Sequence, residues 1–296
     1  MNFDFAVAWG YFAGWRLVRS LPEKFAYRIF ERIGRIALSR NGSRIQRLRS
    51  NLTRVCPEKS AAEMDLLMQQ AMRSYMRYWC DTFRSPDWTQ ERISQTVTVV
   101  GEELLTGPMK QGTGVVVALP HAGNWDHAGS YFCGMGFPLV TVAERLKPEA
   151  LFNKFLEYRQ NMGMEVLALD SRSMATLLKR AREGALIALV ADRDLSKSGI
   201  DVSFFGYPSR MPAGPALLAV RTGIPLITAF VSYTETGIHI EFNSVDIPST
   251  GSESEKISAV VQKCADLFAK GISTAPQDWH MLQRIWIDGD FQERSA

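Results

Sequence analysis

From residue 96 to residue 233 the chain alternates short apolar runs with amphipathic stretches, and this restricts its fold more than any other feature. Strand candidates fall at 96–100, 113–119, 138–143, 164–169, 185–191 and 225–233. Helical patterns at 102–110, 124–135, 148–162, 173–183 and 213–222 lie between most of them. Strands joined through a helix re-enter the sheet in the same direction. The pattern therefore predicts an α/β fold, a largely parallel central sheet flanked by helices on both faces. A chain of 296 residues with 46% hydrophobic content can bury such a core in one domain with an N-terminal appendage. The division expected is 1–54 for the appendage and 55–296 for the α/β domain. Ser60-Ala-Ala-Glu63 is a capping box that opens a long helix reaching about Arg84. Tyr233-Thr-Glu-Thr-Gly-Ile238 reads as a turn between antiparallel strands that end the sheet, with a helix at about 253–271 after it. There is no internal repeat, low-complexity tract or long linker.

In parallel sheets, ligands collect at the carboxyl ends of strands. The strongest strand pattern, Gly114-Val-Val-Val-Ala-Leu-Pro120, runs straight into His121-Ala-Gly-Asn-Trp-Asp126. An imidazole at a strand-to-helix turn, with a carboxylate five positions on, makes a compact general base. Asp126 can accept from one ring nitrogen and leave the other to take a proton from an alcohol. Pro120 stops the strand, Gly123 permits close backbone approach, and the first N–H groups of the next helix can bind an oxyanion or phosphate. The spacing alone is common, and the competing reading is that His121 caps the helix with Asp126 in support. Of the four histidines only His121 has it, since Phe132, Ser244 and Ile285 stand five residues after His127, His239 and His280. His280 reads as structural.

Ala191-Asp-Arg-Asp-Leu-Ser-Lys-Ser-Gly199 follows another apolar run on the same expected edge of the sheet. Asp192 is a candidate second carboxylate near the reaction centre. Ser196, Lys197, Ser198 and Gly199 offer hydroxyls, a cation and amides suited to phosphate. A polar loop whose aspartates cap backbone fits the same residues. Phe204-Phe-Gly-Tyr-Pro-Ser-Arg-Met-Pro-Ala-Gly-Pro215 reads as a loop leading into the helix with Arg221. It can line an apolar channel for a fatty chain with Arg210 or Arg221 holding phosphate, or be simply a loop before a helix. Glu144, Arg145 and Arg159 flank the third strand and its helix and can bind a polar headgroup.

The net charge of +3 hides an uneven distribution. Eleven arginines and lysines between Arg16 and Arg54 face only Glu23 and Glu31, so that segment is +9 and the remainder −6. The basicity describes one surface. Trp9, Tyr11, Phe12 and Trp15 precede it and suit the headgroup level of a membrane. Arg28, Arg32 and Arg35 share one helical face and Ile29, Ile33 and Ile36 another. Taken alone, a solvated arginine face beside a core-packed one explains these residues equally well. After so aromatic a terminus, interfacial helices on an anionic membrane surface fit better. Nothing resembles a base-reading motif, so nucleic acid is not expected as a partner. The apolar run from Phe5 to Trp15 falls short of the roughly 20 residues of a membrane-spanning helix, and charges follow it instead of preceding it as in a secretory signal. Cys56, Cys80, Cys133 and Cys264 form no CxxC pair or metal-ligand spacing, which fits a reducing compartment. No GxSxG elbow, GxxxxGK[ST] loop, HExxH pair or GxGxxG turn after the first strand is present.

Leu119-Pro-His-Ala-Gly-Asn-Trp-Asp126, Val190-Ala-Asp-Arg-Asp-Leu195, Phe204-Phe-Gly206 and Arg210-Met-Pro-Ala-Gly-Pro215 resemble the lysophospholipid-acyltransferase superfamily. Within it they are similar to the lipid A lauroyl/myristoyl acyltransferase branch. Thr141-Val-Ala-Glu-Arg-Leu-Lys-Pro148, Tyr158-Arg159 and Trp279-His-Met-Leu282 resemble phosphatidylinositol mannoside acyltransferases more closely. The resemblance covers essentially the whole chain and implies a glycerolipid-acyltransferase-like sheet. It implies acyl transfer from an acyl-CoA such as palmitoyl-CoA, as co-substrate, to a mannose hydroxyl of a phosphatidylinositol mannoside. His121 would be the base, Asp126 would orient it, and no metal or other cofactor would be needed. Asp192 matches an acidic position of the family at which a glutamate is the longer alternative. Arg159, Ser198 and Arg221 would contact the acyl-CoA or the headgroup. The implied location is peripheral, on the cytoplasmic face of the plasma membrane. The alternatives are a lipid A-type acyltransferase and a non-catalytic lipid-binding protein on the same fold. A fatty chain also calls for a long apolar groove at His121, lined partly by 113–119 and by 204–215.

Overall fold

The alternation becomes a seven-stranded sheet in the computed structural model, which describes residues 14–144, 148–170 and 172–289. The strands are β1 (Val97–Val100), β2 (Val115–Leu119), β3 (Leu139–Ala143), β4 (Met164–Ala168), β5 (Leu186–Val190), β6 (Ile200–Phe204), β7 (Tyr207–Met211), β8 (Leu226–Tyr233) and β9 (Ile238–Ser244). The main sheet runs β1-β9-β8-β2-β5-β3-β4, and every neighbouring pair is parallel except β8 with β9. The hairpin after the last crossover appears as expected, but β9 does not end the sheet. β1 pairs with it on the far side through Val97 and Ile238.

β2 lies at the centre because its side chains can be buried on both faces. Val116 and Ala118 enter one apolar cluster, and Val115, Val117 and Leu119 enter the other. A strand covered on both sides needs such a continuous apolar run. A helical stretch at 14–20 (α1) is followed by α2 (Glu23–Arg40), α3 (Ser43–Val55), α4 (Ala61–Arg84), α5 (Gln90–Gln95), α6 (Glu103–Lys110), α7 (Trp125–Gly134), α8 (Glu149–Asn161), α9 (Ser173–Arg182), α10 (Gly214–Thr222) and α11 (Glu253–Thr274). The first cluster gathers side chains of α3, α4, α9, α10 and α11, and the second those of α6 and α7. α4 opens on the expected capping box, with Ser60 and Glu63 satisfying each other's backbone.

The segment 204–215, expected as a loop, is in large part a strand. β6 and β7 form an antiparallel hairpin through a two-residue turn at Phe205 and Gly206, at φ 50° and 77°. Two positive φ values in succession define a tight hairpin turn matched to strand twist. Pro208 lies on β7 opposite Ser203, and the outer side of β7 is bridged to the C-terminal segment, through Ser209 and Trp286 and by the Ile287 N–H donating to the Pro208 carbonyl at 3.1 Å.

At the other end of the chain, α2 lies along α4. Ala26 and Phe30 are buried with Cys80, and a Cβ at Gly34 would stand 2.9 Å from Met76. The isoleucine face is not core-packed: Ile29, Ile33 and Ile36 are 44%, 47% and 43% exposed, and Phe25 is exposed beside them. Trp15, expected at a headgroup level, is instead buried against Phe83, Phe155 and Tyr158. Trp9, Tyr11, Phe12 and Arg145 lie outside the described residues. Among the described residues no helix is long and apolar enough to cross a membrane.

Candidate active site

Pro120 ends β2, and the four residues after it form a turn fixed from several sides. The His280 N–H donates to the His121 carbonyl at 2.7 Å, and the Gly123 N–H to the Asp278 carbonyl at 2.9 Å. Ala122 forms an antiparallel bridge with Trp279. Gly123 has φ 58°, and a Cβ there would stand 2.5 Å from the Val231 carbonyl oxygen, so the turn admits only glycine. Asn124 then caps α7, its side-chain oxygen accepting from the His127 N–H at 2.9 Å.

β5 is the immediate neighbour of β2, and Leu119 is in register with Val190. Two residues further along each strand, His121 and Asp192 stand side by side. Asp192 Oδ1 lies 2.5 Å from His121 Nδ1. Its Oδ2 accepts from the His121 backbone N–H at 3.0 Å and the Trp279 indole N–H at 2.9 Å. Asp192 is fully buried, whereas the His121 side chain is 38% exposed. Burial alone would push this carboxyl up. The His121 imidazole and the hydrogen bonds from His121 and Trp279 outweigh it and hold Asp192 below the usual carboxylate range. A carboxylate only accepts, so Nδ1 carries the proton and Nε2 keeps its lone pair. Trp125 stands edge-on to the ring, 5.7 Å between centroids.

Asp126 is not the residue that orients His121. It is buried in the first turn of α7, where Arg159 Nε donates to Oδ1 at 2.8 Å and the Tyr78 hydroxyl donates to Oδ2 at 3.2 Å. Burial works against the Arg159 cation, but Asp126 more than compensates and raises its pKa above the usual value. The carboxylate five positions along the sequence thus anchors α8 to α7. The one that meets the imidazole comes from the neighbouring strand.

The remaining candidates scatter. Ser198 is exposed in the loop after β5, its hydroxyl 2.8 Å from that of Ser196. Arg210, on β7, donates to Asp201 and to the Ser196 carbonyl, while its own carbonyl accepts from the Asp194 N–H. Both therefore belong to the Asp192 side of the sheet. Glu144 is exposed just beyond β3, at the same carboxyl edge. Arg221 does not join them. It sits in the last turn of α10, paired with Glu253, where the chain turns into β8. Leu226 at the start of β8 pairs with Val116 at the start of β2, so Arg221 lies at the opposite end of the sheet from His121. Trp279, Tyr78 and Asp81 touch the site's own residues, and spacing alone gave no role to any of them. His280 is buried, with Nε2 2.9 Å from the Ser74 hydroxyl, and burial pushes its pKa down to about 3. The ring is therefore neutral.

Beneath the end of β2 an apolar void of about 10 Å³ is bounded by Ala118, Ala191, Met211, Pro212, Pro215 and Ala216, together with two side chains of α11. Its walls include strand and hairpin residues expected to line an acyl groove, but it has the volume of a single small group. A larger open depression of about 440 Å³, with Glu103, Pro108, Leu226 and Ser244 in its wall, lies at the far end of the sheet.

A histidine–carboxylate pair with one free ring nitrogen, at the carboxyl edge of a parallel α/β sheet, is the equipment for taking a proton from a hydroxyl group. The chain belongs to the bacterial lipid A biosynthesis acyltransferase family, whose model matches residues 3–287. The protein is an acyltransferase. It is 42% identical over 290 residues to a phosphatidylinositol mannoside acyltransferase of Mycolicibacterium smegmatis, spanning 97% of this chain and 93% of that one. It is 40% identical over 296 residues to a protein of the same name from Mycobacterium tuberculosis, spanning 98% and 92%.

Proposed function

We propose that this acyltransferase moves a fatty acyl group from an acyl-CoA to a mannose hydroxyl of a phosphatidylinositol mannoside, with His121 as general base. Its relatives carry that acceptor in their names, and the resemblance read from the sequence points the same way. The observation that carries the mechanism is the Asp192 carboxylate on Nδ1 of His121, which leaves Nε2 as the acceptor. In the step inferred, Nε2 takes the hydroxyl proton as the oxygen attacks the thioester carbonyl. The tetrahedral intermediate collapses, the C–S bond breaks, and the imidazolium returns the proton to the leaving thiolate. Asp192 stabilises the imidazolium between these events, with Trp279 holding its second oxygen. The acyl chain needs a bed, since each methylene left in water forfeits about 0.8 kcal/mol. The void lined by Ala118 and Met211 holds only a single small group, so an acyl chain bound there would have to enlarge it.

The acceptor is a membrane lipid, and α2 offers a surface for meeting it. Phe25, Ile29, Ile33 and Ile36 form an exposed apolar stripe beside Arg28, Arg32 and Arg35. Covering the roughly half of each side chain that remains exposed contributes about 1 kcal/mol, and each arginine near anionic lipid about 1 kcal/mol more. That surface supports peripheral attachment to a negatively charged leaflet, and the leaflet inferred is the cytoplasmic one. Radiolabelled acyl-CoA supplied with purified mannosylated phosphatidylinositol or with a lipid A precursor tests the substrate assignment. Label in the mannolipid is expected, and label in the lipid A precursor alone would contradict it.

A further inference from the structure

One face of α4 supports the catalytic turn at three points. Ser74, Tyr78 and Asp81 recur at helical spacing and are all buried. Ser74 meets Asp278 and His280; Tyr78 meets Asp126 and packs on Trp125 with 4.4 Å between ring centroids. Asp81 meets Asn124, whose Nδ2 donates to its Oδ2 at 3.2 Å. The orientation of that amide is not free. The Asn124 oxygen caps α7 by accepting from the His127 N–H, so the amide nitrogen must find an acceptor, and Asp81 is that acceptor. The Tyr233 hydroxyl donates to the same oxygen at 3.1 Å. The other oxygen of Asp81 accepts from the hydroxyl of Tyr27, which belongs to α2. A continuous chain of hydrogen bonds thus runs from α2, through α4, to Asn124, the cap of α7 that stands three residues after His121.

We propose that Asp81 is a positioning residue for the acyl-transfer reaction, coupling the seat of α2 through Tyr27 to the Asn124 cap and hence to the turn that carries His121. Trp125, the next residue after the cap, stands against the imidazole and transmits the placement. No other carboxylate among the described residues is hydrogen-bonded to this cap. The inference rests on His121 being the base, so His121→Ala serves as a control: turnover surviving in that variant would sink the reading of His121 itself, whatever Asp81 does.

Three variants test the coupling in the full-length enzyme, assayed with acyl-CoA and a mannosylated phosphatidylinositol in vesicles. Tyr27→Phe removes the link to α2, and Asp81→Asn leaves three donors competing for one oxygen. Asp81→Asn combined with Asn124→Asp exchanges the two ends, so that a carboxylate caps α7 and accepts from the amide at 81. Misplacement of catalytic groups by fractions of an ångström slows chemistry without weakening binding, so kcat should fall about 10-fold in each single variant with KM for the acyl-CoA unchanged. The exchange should restore most of it. The low-field proton resonance of His121 Nδ1–H should move in the single variants and return in the exchanged pair, a readout that a loss of stability alone does not give. If Asp81→Asn does not fold, Tyr27→Phe decides alone. A folded Tyr27→Phe enzyme with wild-type kcat and an unmoved resonance would overturn the proposal.

Discussion

A carboxylate set against an imidazole and one set against a guanidinium have different consequences when removed. Asp192 is available to stabilise charge that appears on His121, whereas Asp126 already neutralises a permanent charge on Arg159. Asp126→Asn therefore leaves the guanidinium buried without its counter-charge. Breaking such a pair from one side costs about 3–5 kcal/mol, and the urea midpoint of this variant should drop accordingly. Its folded fraction should retain a Nδ1–H resonance on His121. An Asp126→Asn protein of normal stability that lacks turnover would assign Asp126 to the chemistry after all. His121 was legible in the sequence because a strand, a proline, a glycine and a helix start are local features. Asp192 was legible as a second carboxylate at the same edge of the sheet; that it, in place of Asp126, meets the imidazole was not. Asp192 is 71 residues away and becomes a neighbour only because β5 lies beside β2, an adjacency that the alternation of elements does not encode. Trp279 is remoter still, placed by a bridge to Ala122.

Elements were legible where their periodicity was unbroken and misread where turn chemistry decided. The β6–β7 hairpin was hidden by glycine and prolines, although Phe205 and Gly206 supply the two positive φ values a tight hairpin requires. α2 shows the opposite case, a correct helix whose apolar face required the structure to place it. Gly34, Ala26 and Phe30 dock it on α4, which leaves the isoleucines outward beside the arginines. Replacing Arg28, Arg32 and Arg35 with glutamate should release the protein from anionic vesicles in a sedimentation assay, and raised salt should weaken wild-type binding. Activity on a soluble, short-chain acceptor should survive the change. Vesicle binding that is indifferent to both charge reversal and salt would leave the arginines as an ordinary solvated face.

At the scale of the molecule, the parallel sheet follows from runs such as Val115–Leu119 that can be buried on both faces, and the carboxyl edge of that sheet carries the His121 turn. The strand order, and with it which loops meet, follows from packing that no single segment specifies. Arg221 illustrates the difference: it is close to the hairpin in sequence, yet the crossover through α10 carries it to the opposite end of the sheet. The proposed acyl transfer turns on the His121–Asp192 pair activating the acceptor hydroxyl. The direct measurement is kcat for acyl transfer from acyl-CoA to purified phosphatidylinositol mannoside, for wild type and Asp192→Asn, with circular dichroism confirming that both are folded. The amide cannot stabilise an imidazolium and permits the wrong tautomer, so kcat should fall by about 10²–10⁴-fold, as for His121→Ala. A folded Asp192→Asn enzyme that turns over at the wild-type rate would contradict a role for this pair in activating the hydroxyl.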